Sequence, residues 1–190
     1  MRLNLKRRFL YLGIAVAAFL ATYSAGAYFP LSEEESAMVR EQFAEQIEGI
    51  DAMGIFVNNV RIALVMFIPA AGAGFGGFVG FATGTVYSAL VGVTPQLSGL
   101  PPQLVFITPF GIMELMIYAM AMSRSGMLIS RLVRDKPWRQ EQRRTFYEDS
   151  LKPTFIELGI AVGVLFAAAI IEWELIQLFG GLDTTALVPG

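Results

Sequence analysis

Glu114 stands inside the apolar run LVFITPFGIMELMIYAMAMSRSG, residues 104–126. A carboxylate deep in such a run costs roughly 2.5 kcal/mol or more on insertion scales. Thr108, Pro109 and Gly111 come just before it and loosen a helix there. Pro109 has no N–H, so a carbonyl of its preceding turn loses its donor. Thr108 or Glu114 would satisfy the polar groups so freed. Two readings follow. One is a proton or cation site, or a hinge. The other is a polar packing node between helices. Asn58, Asn59 and Arg61 form a second polar cluster, at the outer end of another apolar run. Arg61 and Glu114 differ in depth along their runs.

Several chemistries drop out. The chain has no cysteine and no histidine. That removes disulfides, thiolates and the commonest general base and metal ligand. A serine protease with a histidine base is excluded. Asp51, Asp135, Asp149 and Asp183 all fall outside the apolar runs, which argues against an intramembrane aspartyl pair. No cofactor or metal motif is present, and an enzyme is not expected. The net charge of −2 gives nucleic acid no obvious purchase.

The elements that must hold Glu114 follow from composition. The 190 residues are 55% hydrophobic and 16% charged, with a mean hydropathy of +0.57. Soluble domains carry about 25% charged residues. The apolar residues fall in blocks of roughly 20, the length of transmembrane helices. The expected fold is an all-α, polytopic transmembrane bundle forming one domain. The first block follows Arg2, Lys6, Arg7 and Arg8. It is longer than the roughly 7–15 residues of a signal h-region, so it reads as a retained helix.

Charge sets the number of crossings. Basic loops stay cytoplasmic, so the N-terminus is expected inside and the basic segment 124–154 inside as well. The acidic segment 30–54 is then outside. An odd number of crossings must lie between them. A break at Pro69-Ala-Ala-Gly72 supplies the third. The expected spans are about 8–29, 55–71, 73–93, 103–123 and 155–179, with the tail after Gly180 outside.

Three features surround these spans. Ser32-x-x-Glu35 is a capping box, and Val39, Phe43, Ile47 and Ile50 make the following segment an amphipathic helix. Gly72, Gly76, Gly80, Gly84, Ser88 and Gly92 recur every fourth residue. Glycine is a poor helix former in water, but in lipid such a groove lets a second backbone approach closely. The groove packs either within the chain or at an interface with a second copy or a partner. Arg134, Lys136, Trp138, Arg139, Arg143 and Arg144 are expected to meet anionic lipid, with Trp138, Phe146 and Tyr147 at the headgroup level.

Asn58-Asn59-x-Arg61-x-Ala63, the glycine-rich run and Pro109-Phe-Gly-Ile-x-Glu114-Leu together resemble the stage II sporulation protein M family. The resemblance covers roughly residues 50–180. The family's best mark is Pro-His-Gly-x-x-Glu at the start of a late helix. Pro109, Gly111 and Glu114 match it, and Phe110 stands where histidine is usual. The resemblance implies a polytopic membrane protein that acts as a scaffold. The sporulating bacterial member gathers peptidoglycan-degrading enzymes at the membrane.

The expected function is an integral membrane scaffold or accessory subunit at the cell membrane, with the bilayer and other membrane or envelope proteins as partners. A homo-oligomer is a further arrangement. The alternative is a transporter or channel subunit with Glu114 as its polar site. No inverted repeat is visible, and five spans do not divide evenly.

Overall fold

The computed structural model describes residues 5–91, 93, 99–135, 137 and 140–178. Gly92, Lys136, Trp138, Arg139 and the tail after Gly180 lie outside the described residues. The described chain is helical: α1 (Leu5–Ala27), α2 (Glu33–Ile47), α3 (Ala52–Met66), α4 (Ala71–Val91), a 3-10 turn (Pro102–Ile107), α5 (Pro109–Asp135), α6 (Gln140–Phe146), a π turn (Tyr147–Leu151) and α7 (Lys152–Leu178).

Four of these helices are long and apolar enough to span a membrane, and α2 with α3 makes a fifth only as a pair bent by 116°. At 1.5 Å per residue the 15 residues of α3 reach about 22 Å, short of a ~30 Å hydrocarbon core. The cross-helix contacts fix the directions. Gly80 meets Phe19 and Gly84 meets Ala27, so α4 runs parallel to α1. Arg124 meets Glu157 near one end of the bundle, so α5 and α7 run antiparallel. Asn59 meets Glu114 and Ile68 meets Ser125, so α3 runs with α5. The order α1, α3, α4, α5, α7 therefore alternates in direction at every step.

The breaks between α3 and α4 and between α2 and α3 have local causes. Ala70 adopts φ 68°, a left-handed turn that an alanine rarely takes. A Cβ on Gly72 would collide with the Met66 carbonyl, so only glycine closes this turn. At the start of α2, Ser32 N donates to Glu35 Oε2 at 2.8 Å and Glu35 N donates to Ser32 Oγ at 3.3 Å. The Ser32 N–H and then the Ser32 hydroxyl, both donating to the Glu35 carboxylate, hold it below its usual range. Asp51 caps α3 by accepting from Gly54 N at 2.7 Å. Arg40, buried on α2, donates to the Ala89 carbonyl in the last turn of α4 at 3.3 Å. A cation there complements the helix dipole and anchors α2 across the end of α4.

Two expectations are corrected. The span placed at 103–123 begins instead with a 3-10 turn, and α5 starts at Pro109. Proline is at home in a first helical position, where its missing N–H is not needed. Thr108 caps the helix: its Oγ1 accepts from Gly111 N at 3.1 Å and donates to the Val105 carbonyl at 2.7 Å. Pro109 thus starts the helix and does not break it. The segment expected as a basic loop from 124 is likewise helical through Asp135, so Arg124, Arg131 and Arg134 belong to α5. Pro137 follows the helix end, where it cannot continue the backbone bonding.

The core joins α1, α3, α5 and α7 through Phe19, Met66, Tyr118, Met122 and Leu165. Phe106 stacks edge-on against Tyr23, ring centroids 4.7 Å apart, and so fixes the 3-10 turn to α1. Tyr23 also donates its hydroxyl to the Pro102 carbonyl at 3.0 Å.

The glycine groove faces inward. A Cβ on Gly84 would collide with the Tyr23 carbonyl and stand 2.7 Å from Ala27 N, while nothing lies within 4 Å of a Cβ on Gly74. Gly76 lies under Met122, and Ser88 donates to the Phe29 carbonyl at 3.2 Å. Gly84→Ala should therefore lose about 1–3 kcal/mol by overpacking. Gly74→Ala should be neutral or gain up to ~1 kcal/mol from helix propensity. Thermal melting of both variants in detergent checks this, and equal melting temperatures would contradict the close packing.

Candidate functional site

Two polar clusters sit in the helix bundle, near its opposite ends. The first gathers at the starts of α3 and α5 and the end of α7. Asn59 is buried, and its Nδ2 donates to Glu114 Oε1 at 2.5 Å. Asn58 Nδ2 in turn donates to Asn59 Oδ1 at 3.4 Å. The bond holds α3 and α5 at one depth. It also corrects the position of Glu114: the carboxyl lies in the second turn of α5, not in the middle of a span.

These residues line a cleft of about 620 Å³ between α2, α3, α5 and α7. Glu114 and Glu172 are its acids from α5 and α7, with Asn58, Asn59 and Arg61 beside them. Ile47, Ile55 and Ile176 contribute apolar wall. Arg61 is exposed and makes no hydrogen bond or ion pair among the described residues. Thr108, Pro109 and Gly111 build the start of α5, a turn before Glu114, and do not line the cleft.

The second cluster lies where α1 and α7 begin, against the later turns of α5. Arg8 Nη2 donates to Glu157 Oε2 at 2.8 Å. Arg124 takes the same carboxylate with two nitrogens, Nε on Oε2 at 2.9 Å and Nη2 on Oε1. Arg8 Nη1 also donates to Ser123 Oγ at 2.6 Å. One acid thus holds two cations and three helices. Bidentate pairing of this kind is strong and directional.

Between the clusters the bundle is packed. Met66, Ala119, Ala121, Ala161 and Leu165 are each 0% exposed. Tyr118 lies in the same layer, buried against Phe19. The cleft is open at one end and closed below.

Sequence reasoning found Glu114, Asn58, Asn59 and Arg61 but missed Glu172, Glu157 and Arg8. The signal was present: Glu157 and Glu172 both interrupt an apolar helix. Their 15-residue separation is four turns and about 60°, so they share a side some 22 Å apart. Of the basic segment, Arg143 and Arg144 are exposed, and Arg144 pairs with Glu148 at 3.0 Å. Phe146 is buried, so it is not at the headgroup level, while Tyr147 is exposed.

Residues 9–173 match the model of a protein family described as Stage II sporulation protein M. No curated protein and no solved structure matches the chain. Glu48, Glu114 and Glu172, which line the cleft, and Glu157 fall within the matched residues.

Glu157→Leu would leave Arg8 and Arg124 facing each other unpaired. It should destabilise the protein by about 3 kcal/mol or more. Glu174→Leu, at an exposed site on the same helix, should change little. Melting of the two variants in one detergent decides between them, and comparable stability would show that the triad holds nothing together.

Proposed function

The chain belongs to the stage II sporulation protein M family, and from that premise we propose that it is a multi-pass scaffold or accessory subunit of the cell membrane, with a cytoplasmic N-terminus, that recruits or positions partner proteins. The observation that carries this reading is the blind cleft. A conduit needs a polar path across the bilayer. Here a layer of fully buried apolar side chains lies below Glu114. A site open at one end is suited to holding something, and an amphipathic helix anchored beside it by Arg40 adds a ready contact surface. The reading includes no catalytic activity, and partners are other membrane or envelope proteins.

A second reading, a transporter or channel subunit, is favoured by one feature: two carboxyls share a cleft inside the bundle. Intramembrane acids of this kind mark ion and proton pathways in other proteins.

Glu114→Gln distinguishes the two. Gln keeps an oxygen for Asn59 Nδ2 but cannot carry charge. Under the scaffold reading Gln retains melting temperature and partner recovery. Glu114→Leu leaves Asn59 buried without its acceptor and should lose about 1–3 kcal/mol. The measurement is affinity purification from gently solubilised membranes, with melting on the same preparation and ion or proton flux after reconstitution. A stable Gln variant that abolishes a flux seen with the unmodified chain would overturn the scaffold reading.

A further inference from the structure

Arg61 is the only charged residue of α3. It stands about 200° round the helix from Asn59. Asn59, Ala63 and Met66 are buried against the bundle, so Arg61 faces away from it. Met53, Val57 and Leu64 are exposed on the same side, and the stripe is apolar apart from the guanidinium. Arg61 has no hydrogen-bond or ion-pair partner among the described residues. The nearby acids do not supply one. Glu48, Glu114 and Glu172 line the cleft that Arg61 borders. Glu114 is engaged by Asn59 on the other side of α3, and neither Glu48 nor Glu172 forms an ion pair among the described residues.

Depth makes this arginine unusual. Asp51 caps the outer end of α3, about 15 Å above Arg61 along the helix. Ile68, whose carbonyl accepts from Ser125 beside the Arg124–Glu157 pair, lies about 10 Å below it. Both distances exceed the length of an arginine side chain, so a lipid phosphate at either surface is out of reach. Ionisable side chains at such depth face a bundle interior or pair with an opposite charge. The chain provides Arg61 with neither.

We propose that this face of α3 docks a transmembrane helix of a partner protein, with a carboxylate of that helix paired to Arg61. The guanidinium fork matches a carboxylate through two parallel hydrogen bonds. Val57 and Leu64 flank Arg61 at spacings of four and three, the spacing of a helix–helix seam. One polar residue in such a seam fixes the register of the incoming helix. A second copy does not fit this face. Two copies in one membrane cross it in the same sense, so a twofold contact would set two Arg61 side chains against each other. The inference rests on the scaffold reading, since it names the kind of partner recruited.

The test uses the full chain in phosphatidylcholine vesicles and synthetic single-span helices of leucine and alanine. One helix carries Glu at its middle, a second Gln there, a third Lys, and a fourth Glu near one end. The chain has no cysteine, so Glu45→Cys, exposed on α2, takes a donor dye, and energy transfer to labelled helices reads association. The mid-Glu helix should bind about tenfold more tightly than the other three, the difference expected from a charge-assisted hydrogen bond. Arg61→Gln should erase that preference. Arg61→Glu should reverse it in favour of the Lys helix, a gain that a misfolded variant would not show. Equal binding of the four helices to the otherwise unmodified chain would overturn the proposal, as would an Arg61→Gln variant that keeps the preference. Transfer between differently labelled copies of the chain without any helix, lost in Arg61→Gln, would assign the face to a second copy and overturn it too. The two readings fail separately. Equal helix binding leaves partner recovery untouched, and a flux abolished by Glu114→Gln leaves the helix preference untouched.

Discussion

The backbone contact between α1 and α4 sets the rest of the bundle. Water drives apolar faces together in a soluble protein, but lipid tails are as apolar as the helices themselves, so close packing must supply the attraction. Gly80 and Gly84 on α4 and Gly26 on α1 admit the facing backbone directly. With α1 and α4 held parallel at this distance, α5 packs antiparallel to both. Gly76 then receives Met122 of α5. Each of these positions would be filled by the side chain of any other residue.

The polar clusters fix the remaining freedom. Glu157 with Arg8 and Arg124 joins α1, α5 and α7 near one end. Asn59 with Glu114 joins α3 to α5 near the other. Directional bonds of this kind resist sliding along the helix axes, which the apolar layer between them does not. They also explain where the cleft lies. α3 is short and α2 is bent across its start, so the cleft lies between α2, the starts of α3 and α5 and the end of α7. The open site and the closed layer below it come from the same helix lengths.

Much of this was legible in the sequence. The capping box at Ser32, the break near Pro69 and Gly72, and the every-fourth glycines all act through neighbours close in the chain or through one helix face, which spacing reveals. Glu114 was legible because a carboxylate in an apolar run stands out. Its partner was not. Asn59 is 55 residues away, and nothing in either run says which depth each occupies. Pro109 reads equally as a break within a helix or as its first residue. Only the Thr108 cap decides, and it needs the backbone turn to be seen. Arg124 was read as the edge of a cytoplasmic loop because it opens a stretch rich in arginine and lysine that runs to Lys152. Its burial is tolerable only through Glu157, 33 residues on, and so depends on the tertiary fold.

The central claim is that the cleft opens at one end and is closed below. The chain has no cysteine, so a single introduced thiol reports one position. Asn58→Cys, exposed at the cleft, should react with a membrane-impermeant maleimide added on the α2 side of sealed vesicles. Ala119→Cys, in the packed layer, should stay unreacted from either side. Labelling of position 119 from either side would contradict the account and show a path that continues through the bundle.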